Sequence, residues 1–228
     1  MKAGLFEGKK LIRKIVSKNG NGKLTELASE KDISGIAICD VSGGNEAAYK
    51  KMLAPIPITF VSEKIRLPFL NQYKTKTTLG ADRIAAVAGA MEFFPEKNIL
   101  IINAGTCITY DIVTSKKNYE GGVIAPGIRM RLESMHEQTA KLPLIKNMRA
   151  VKIPAKTTEE NMLAGSVVAA ALEADGFVRR FEKQFGKLNV ILTGGDAAML
   201  QGLMESRIFA EPNLTLYGLN ALHKLNQQ

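Results

Sequence analysis

The sequence predicts an α/β protein built from two domains, and two observations lead to that prediction. Short apolar runs typical of strands alternate with segments whose apolar residues recur at helical spacing. This succession of strands followed by helices also occurs twice, with a break near residues 94–98. We therefore expect an N-terminal domain over residues 1–95 and a C-terminal domain over residues 96–228.

The first domain is predicted to open with paired strands and to end on an apolar helix. Residues 83–94 favour a helix because Ala, Ile, Val and Met continue without a breaker until Pro95. The other predicted elements are strand, turn and strand at 4–16, a polar loop at 17–23, a strand at 36–39, a helix at 45–53 and a strand at 57–61.

The second domain is predicted to open with a hairpin whose tight turn is residues 104–106. Its remaining elements follow from apolar runs and Gly or Pro breakers. They are strands at 99–103, 107–113, 121–124 and 189–192, and helices at 128–141, 158–185 and 197–204.

Composition limits the classes of function. The chain has 228 residues, 46% of them hydrophobic and 23% charged, as in soluble globular proteins, and its net charge of +9 favours anionic partners such as phosphorylated metabolites, nucleotides or nucleic acid. No apolar run approaches the roughly 20 residues of a membrane span, and no signal peptide is visible, so we expect a cytoplasmic protein. Two Cys and two His predict neither a disulfide framework nor a zinc site.

Three Gly-containing turns each follow an apolar strand, at Ser42-Gly43-Gly44, Ala104-Gly105-Thr106 and Thr193-Gly194-Gly195. Such turns can point backbone N–H groups at phosphate oxygens, although any one of them can equally be a structural turn. None has the spacing of a P-loop or of a dinucleotide-binding fingerprint. Three of them in one basic chain favour a nucleotide ligand.

Asp82 and its neighbour Arg83 begin an apolar helix. Asp82 can be an ordinary helix cap, or a base that accepts a proton from a substrate hydroxyl while Arg83 binds an anionic group. Residues 157–160, Thr-Thr-Glu-Glu, have the same two interpretations, as a capped helix start or as a hydroxyl offered to a ligand. Spacing alone leaves both alternatives open.

Polar residues alternate through the second-domain hairpin at Asn103, Thr106, Thr109 and Asp111. The alternation predicts that they converge near the bend, although Thr-rich strands are also common in ordinary sheets.

The order of these motifs closely resembles the type III pantothenate kinase family across essentially the whole chain. The motifs that carry the resemblance are Gly80-Ala81-Asp82-Arg83, residues 103–111 (NAGTCITYD), residues 121–127 (GGVIAPG), Leu142-Pro143, Thr158 with Gly165, residues 193–197 (TGGDA) and residues 214–219 (LTLYGL).

This resemblance implies the fold, the reaction and the ligands. The fold would be that of the acetate and sugar kinase, Hsp70 and actin superfamily, with two ribonuclease-H-like domains and a site in the cleft between them. The reaction would be ATP-dependent phosphorylation of pantothenate to 4′-phosphopantothenate, the first step of coenzyme A biosynthesis. The resemblance also implies magnesium, a monovalent cation such as potassium or ammonium, and a homodimer.

The resemblance also implies roles for individual residues. Asp82 would be the base that takes the proton from the pantothenate hydroxyl. The same substrate would be contacted by Tyr73, Gly80, Ala81, Arg83 and Thr158. Thr106 would contact the ATP phosphates.

The chain departs from the family pattern at two places. Members of the family open with a strand and turn that carry the motif Asp-x-Gly-Asn-Thr, which binds the metal and the ATP phosphates. This sequence starts just after that motif. We expect a misassigned or truncated start, with an unpaired strand edge and a hole in the first domain; genuine loss of function is the alternative. In addition, Asn103 stands where the family has the Asp that ligates the monovalent cation, and an amide oxygen can still coordinate that ion without supplying charge.

Two alternative functions can be considered for this chain. A catalytically impaired member could act as a binding or transcription accessory protein, but its scattered Lys and Arg residues lack aromatic interleaving or a recognition helix, so we do not expect nucleic acid as a partner. A sugar or acetate kinase of the same superfamily is disfavoured by Tyr73 and the Gly-Ala-Asp-Arg motif.

Overall fold

The computed structural model describes residues 1–17, 20–30, 32–40 and 46–227. The chain forms two compact units, and the expected boundary coincides with the division at residues 95 and 96. Unit 1 comprises Met1–Pro95 and Asn213–Gln228, and unit 2 comprises Glu96–Pro212. The sequence prediction assigned residues 213–228 to the second domain, whereas the structure groups them with the first.

Helices and strands alternate through both units. The strands are β1 (Lys2–Glu7), β2 (Lys10–Val16), β3 (Ile36–Ile38), β4 (Ile58–Phe60), β5 (Leu70–Asn71), β6 (Ile99–Ala104), β7 (Cys107–Val113), β8 (Asn118–Pro126), β9 (Asn189–Thr193) and β10 (Ile208–Ala210). The helices are α1 (Gly20–Ala28), α2 (Glu46–Leu53), α3 (Ala81–Phe93), α4 (Ile128–Glu137), α5 (Thr158–Leu163), α6 (Ala169–Phe185), α7 (Ala197–Gln201) and α8 (Leu214–Asn226).

Unit 1 contains two separate strand pairs. Strand β1 pairs antiparallel with β2, and β3 pairs parallel with β4. In the described part of the chain, neither β1 nor β3 has a second neighbouring strand. Both strands line a cavity of about 810 Å³.

Helices α3 and α8 are in close contact because two glycines allow their backbones to approach. A Cβ at Gly218 would overlap the Ala85 carbonyl oxygen, and a Cβ at Gly89 would overlap the Leu214 carbonyl oxygen. This contact explains why residues 213–228 belong to unit 1: the last helix buries Leu214, Leu216 and Leu222 there.

Unit 2 is built on a mixed sheet in which its own strands have the order β10-β9-β6-β7-β8. Strand β7 is antiparallel to both of its neighbours, β6 and β8, whereas β9 is parallel to β6 and β10 is parallel to β9. One face of the sheet carries an apolar core that includes Leu100, Ile102 and Tyr110. Helices α4, α5 and α6 contribute to the same core, so unit 2 forms an α/β layer structure.

The predicted helix at 158–185 is one continuous helical stretch with a π-helical segment at Ala164–Val168. By length and composition this stretch could cross a membrane. Half of its most apolar window is buried inside the protein, where Ala170, Ala174 and Val178 belong to the core of unit 2. The burial is that of a core helix.

Two local predictions need comment. Residues 17–23 were expected to be a loop, but α1 begins at Gly20. Leu24 and Leu27 of this helix help to line the cavity of unit 1. The predicted turn at Ser42-Gly43-Gly44 lies outside the described residues.

Candidate functional site

Asp82 is the second residue of α3, at the N-terminal end where backbone N–H groups are unpaired. Its Oδ1 accepts a hydrogen bond from the Arg83 backbone N–H at 2.9 Å. The cap position itself is occupied by Gly80, whose lack of a side chain leaves the helix end without a side-chain cap. One carboxylate oxygen of Asp82 is therefore fixed, and Oδ2 has no hydrogen-bond partner among the described residues.

Gly80 and Ala81 provide space around this carboxylate. A Cβ at Gly80 would lie 2.5 Å from Asp82 Oδ1, which is closer than atoms in contact can approach. Gly80 and Ala81 are both partly exposed, so the helix start is accessible rather than enclosed in the core. A small residue at position 80 thus leaves the position of the Asp82 carboxylate undisturbed.

Arg83 and Tyr73 form a second contact beside Asp82. Arg83 is buried, with only 5% of its surface exposed, and its guanidinium carbon lies 5.5 Å from the centre of the Tyr73 ring. A cation over an aromatic face is attracted by the negative charge of the ring face. The structure therefore groups Tyr73, Gly80, Ala81, Asp82 and Arg83 in unit 1.

The negative charge of Asp82 affects the pKa of Cys39, which lies just after β3. Burial, together with the negative charges of Asp82 and Asp40, raises the pKa of the Cys39 thiol to about 12. Asp40 also accepts a hydrogen bond from the Tyr49 hydroxyl at 3.1 Å. The sequence analysis did not associate Cys39 with Asp82.

In unit 2, three backbone turns meet at one end of the sheet. The Gly127 N–H donates to the Thr106 carbonyl oxygen at 3.1 Å, and a Cβ at Gly127 would overlap the carbonyl oxygens of Gly105 and Thr106. Gly194 has φ = +103°, and a Cβ there would overlap the Ala104 carbonyl oxygen. Only glycine fits these two positions, so the turns can approach one another.

The Thr106 side chain is exposed at the tip of this turn cluster and has no hydrogen-bond partner within the described ranges. Asp196, in the turn that follows β9, donates its N–H to the Ala104 carbonyl oxygen at 3.1 Å. Burial raises the pKa of Asp196, and the positive charge of Arg129 partly offsets that effect. Arg129 is thus a cation near Asp196. The sequence analysis did not single out Arg129, and it did not predict the contact of Gly127 with the Thr106 turn.

Asn103 lies in a polar row at the same end of the sheet. It pairs in register with Thr109 of β7 and Thr193 of β9, so the three side chains share one face. Asp111 lies on this face too, two residues beyond Thr109, fully buried with its Oδ1 accepting from the Tyr119 hydroxyl at 2.7 Å. The Thr109 hydroxyl is buried and has no hydrogen-bond partner among the residues that the structure describes, which is costly for a polar group.

Thr158 is the first residue of α5 and is exposed. The preceding residue, Thr157, caps the helix, because its hydroxyl accepts the Glu160 N–H at 3.2 Å. The capping and ligand-binding interpretations of this segment therefore apply to different residues. Thr158 retains a hydroxyl with no hydrogen-bond partner in the described part of the chain.

The predicted site residues thus form a group around Asp82 in unit 1 and a group around Thr106 and Asn103 in unit 2, with Thr158 on a separate helix of unit 2. Within residues 1–17, 20–30, 32–40 and 46–227, no three His, Cys, Asp or Glu side chains form a group that could hold a metal ion.

Sequence comparison gives consistent results. The model of the family described as type III pantothenate kinase matches residues 1–180. A type III pantothenate kinase of Christiangramia forsetii is 41% identical over 182 residues, which cover 80% of this chain and 74% of the relative. One of Flavobacterium johnsoniae is 35% identical over 227 residues, which cover 98% of this chain and 93% of the relative.

Comparison with solved structures supports the fold. A Campylobacter jejuni protein assigned to the Baf family of transcriptional activators superposes with a TM-score of 0.56 over 90% of this chain and 88% of that chain, at 20% identity. At this identity the likeness concerns the fold alone. The mixed α/β fold is that of the acetate and sugar kinase, Hsp70 and actin superfamily, as the resemblance implied.

Proposed function

Because the chain belongs to the type III pantothenate kinase family, we propose that it transfers the γ-phosphoryl group of ATP to the hydroxyl of pantothenate and forms 4′-phosphopantothenate for coenzyme A biosynthesis. The observation that carries this proposal is the Asp82 carboxylate, which is fixed through Oδ1 and has Oδ2 without a hydrogen-bond partner among the described residues. Such a group can accept the hydroxyl proton as the oxygen attacks phosphorus.

Phosphoryl transfer needs little more than a modest base, in-line positioning and neutralised charge. Asp82 would take the proton, and Arg83 with Tyr73 would orient the substrate beside it. Thr158, with its free exposed hydroxyl, would bind the same substrate. These assignments come from the family pattern. They are supported by the contacts of Asp82, Arg83 and Tyr73 and by the exposure of Thr158.

The turn cluster of unit 2 would hold the ATP phosphates. The turns at Gly105-Thr106 and Gly194-Gly195 present backbone close to solvent, with the start of α4 adjacent to the first of them. N–H groups of such turns and the positive end of a helix both favour phosphate oxygens. Thr106 would add its hydroxyl, and Arg129 would add positive charge.

The kinase family and its fold imply ATP and a divalent metal. Magnesium would bind with the phosphates and neutralise charge during transfer. We assign the monovalent cation, potassium or ammonium, to Asn103. This assignment is supported by the unpartnered Thr109 hydroxyl in register with Asn103, because amide and hydroxyl oxygens are suitable cation ligands.

We also propose that the protein acts in the cytoplasm as a homodimer. Its support is a set of large apolar side chains exposed on unit 2, which would be covered in a dimer. They are Ile124, Met130, Leu144, Ile153 and Leu172.

The proposal is tested by following phosphopantothenate formation from pantothenate and ATP with magnesium. Thr106→Val should raise the KM for ATP, since it removes the hydroxyl at the phosphate turn. Thr139→Val should not, because it removes an exposed hydroxyl that donates to Met135 of the preceding helix α4. Asn103→Asp should strengthen activation by potassium, because it adds the charge that an amide lacks. A protein that forms no phosphopantothenate would refute the assignment.

A further inference from the structure

We propose that Arg131 and Glu173 are positioning residues that hold the corner at Pro126-Gly127 against the Gly105-Thr106 turn, and thereby keep that turn in the shape that binds the ATP phosphates. The inference rests on the proposed function, because it concerns the turn assigned to ATP. Neither residue was singled out from the sequence, and neither is assigned to contact substrate.

The corner and the turn are in direct backbone contact. Strand β8 ends at Pro126, and Gly127 is the cap residue of α4. The Gly127 N–H donates to the Thr106 carbonyl oxygen at 3.1 Å, and the space that a Cβ would need is filled by the Gly105 and Thr106 carbonyl groups. A displacement of the corner would therefore displace the turn.

Arg131 connects this corner to α6. Its Nε donates to the Pro126 carbonyl oxygen at 2.9 Å, and its Nη2 lies 3.0 and 2.9 Å from the two carboxylate oxygens of Glu173. The ion pair is largely shielded from water, with side-chain exposures of 17% for Arg131 and 29% for Glu173. Screening weakens such a pair less than a fully exposed one.

Glu173 is itself held by the sheet. Its Oε1 accepts a hydrogen bond at 3.0 Å from the hydroxyl of Tyr110, a fully buried residue of β7. Burial and the nearby Glu173 charge raise the pKa of Tyr110, so the phenol keeps the proton that it donates. The chain of contacts runs from β7 through Glu173 and Arg131 to Pro126, and every group in it belongs to unit 2.

Only an arginine can make both Arg131 contacts at once. Nε and Nη2 are separate donors on one rigid planar group. Nε donates to the backbone carbonyl and Nη2 donates to the carboxylate, in different directions. A lysine at this position would keep the charge opposite Glu173 but has a single nitrogen. Arg131→Lys therefore keeps an ion pair with Glu173 but cannot also keep the hydrogen bond to the Pro126 carbonyl oxygen.

The test measures nucleotide binding and the turn itself. The variants are Arg131→Ala, Arg131→Lys and Glu173→Gln, and the matched control is Arg13→Ala, which removes an Arg–Glu ion pair with Glu30 in unit 1. We would measure the Kd for ATP by calorimetry, the KM values for ATP and pantothenate, and amide hydrogen exchange at Gly127, whose N–H bonds to Thr106.

Arg131→Ala should weaken ATP binding roughly tenfold, as expected for loss of about one good interaction, with a comparable rise in the KM for ATP. Its KM for pantothenate should stay within about twofold, and exchange at Gly127 should accelerate roughly tenfold. Arg131→Lys should show a smaller change in the same direction. Glu173→Gln, whose amide oxygen can still accept from Arg131 and Tyr110, should fall between Arg131→Lys and Arg13→Ala.

Three outcomes would overturn the inference. Unchanged ATP binding and Gly127 exchange in folded Arg131→Lys and Arg131→Ala would show that Arg131 is not needed to hold the corner at Pro126-Gly127. Equal losses for ATP and pantothenate would indicate general destabilisation. Failure of the parent protein to bind ATP would refute the proposed function as well, which distinguishes it from the first two results.

Discussion

A Cβ placed on Gly80 would lie 2.5 Å from Oδ1 of Asp82, the oxygen that accepts the Arg83 N–H. Gly80 has φ = −58° and ψ = 134°, a backbone conformation that any L-residue adopts. The glycine is therefore required by the neighbouring carboxylate and not by its own backbone. This relationship separates the effect of position 80 on the base from its effect on the fold.

We predict that Gly80→Ala impairs catalysis while leaving stability nearly unchanged. The added methyl group would force the Asp82 side chain to rotate and would break its bond to the Arg83 N–H, so kcat should fall at least roughly tenfold. The change in unfolding free energy should stay below about 1 kcal/mol, because a flexible side chain can give way. Steady-state kinetics and urea unfolding provide the two measurements.

The control for this variant is Gly176→Ala. Gly176 lies within α6 with no atom within 4 Å of its would-be Cβ, so Ala should stabilise the helix by roughly 0.5–1 kcal/mol and leave kcat unchanged. A Gly80→Ala protein as active as Gly176→Ala would show that the Asp82 carboxylate does not need its observed position.

Cys39 provides a measure of the Asp82 charge that does not depend on activity. Since its pKa is raised to about 12, partly by Asp82, the thiol should be alkylated by iodoacetamide much more slowly than a free cysteine at pH 8. Asp82→Asn removes one of the negative charges, so the Cys39 pKa should fall and alkylation should accelerate. The comparison is made in a Cys107→Ser background; an unchanged rate would contradict the proximity of the two groups.

His223 on α8 should make stability depend on pH. Burial lowers its pKa, and its Nδ1 lies 3.0 Å from the Thr59 hydroxyl oxygen. The unfolded chain therefore binds a proton at a higher pH than the folded chain does. Stability should be intact above the unfolded pKa of about 6.5 and should fall as pH decreases below it.

The measurement is urea unfolding between pH 7.5 and 5.5. His223→Gln should reduce the loss of stability over this range, although it lowers stability at pH 7.5 by removing the Thr59 contact. His136→Gln, at an exposed position in unit 2, is the control for replacing a histidine that does not contact Thr59. An equally steep loss in His223→Gln would assign the pH dependence to other groups.

Gly218 should be critical for stability rather than for catalysis. A Cβ there would overlap the Ala85 carbonyl oxygen and would lie 2.9 Å from the Gly89 nitrogen, so α8 would have to move away from α3. Overpacking of this kind commonly costs about 1–3 kcal/mol. Gly218→Ala should lower the urea midpoint accordingly, and a midpoint equal to that of the parent protein would contradict the close packing of the two helices.

Local patterns predicted much of the fold. Strands with continuous apolar runs, such as the one predicted at 99–103 and observed at Ile99–Ala104, and the breaker-free helix that ends before Pro95 were correctly located. Helix α1 was missed because its first residues are glycine-rich and polar, which is typical of a loop, and its burial depends on distant residues. Residues 213–228 were assigned to the second domain because nothing local reveals that Gly218 packs against Ala85, more than a hundred residues earlier.

The site, like the fold, could be predicted only where the pattern is local in sequence. Alternation along the strands predicted that Asn103, Thr106, Thr109 and Asp111 converge near the bend of the hairpin. The structure places Asn103 in register with Thr109 and adds Thr193 through its parallel pairing with Asn103. The contact between Gly127 and the Thr106 turn was not predicted, because it joins backbone atoms distant in sequence. The Thr157 cap could not be distinguished from Thr158 by spacing, since either hydroxyl could have filled the role.

The most direct test of the central claim is the rate of phosphopantothenate formation by Asp82→Asn, with ATP binding measured on the same protein. The amide keeps the size of the side chain and an oxygen that can accept the Arg83 N–H, but it is not a base. We predict that kcat falls by roughly 10²- to 10⁴-fold while the Kd for ATP stays within about threefold. A variant that retains the parent kcat would contradict the assignment of Asp82 as the base.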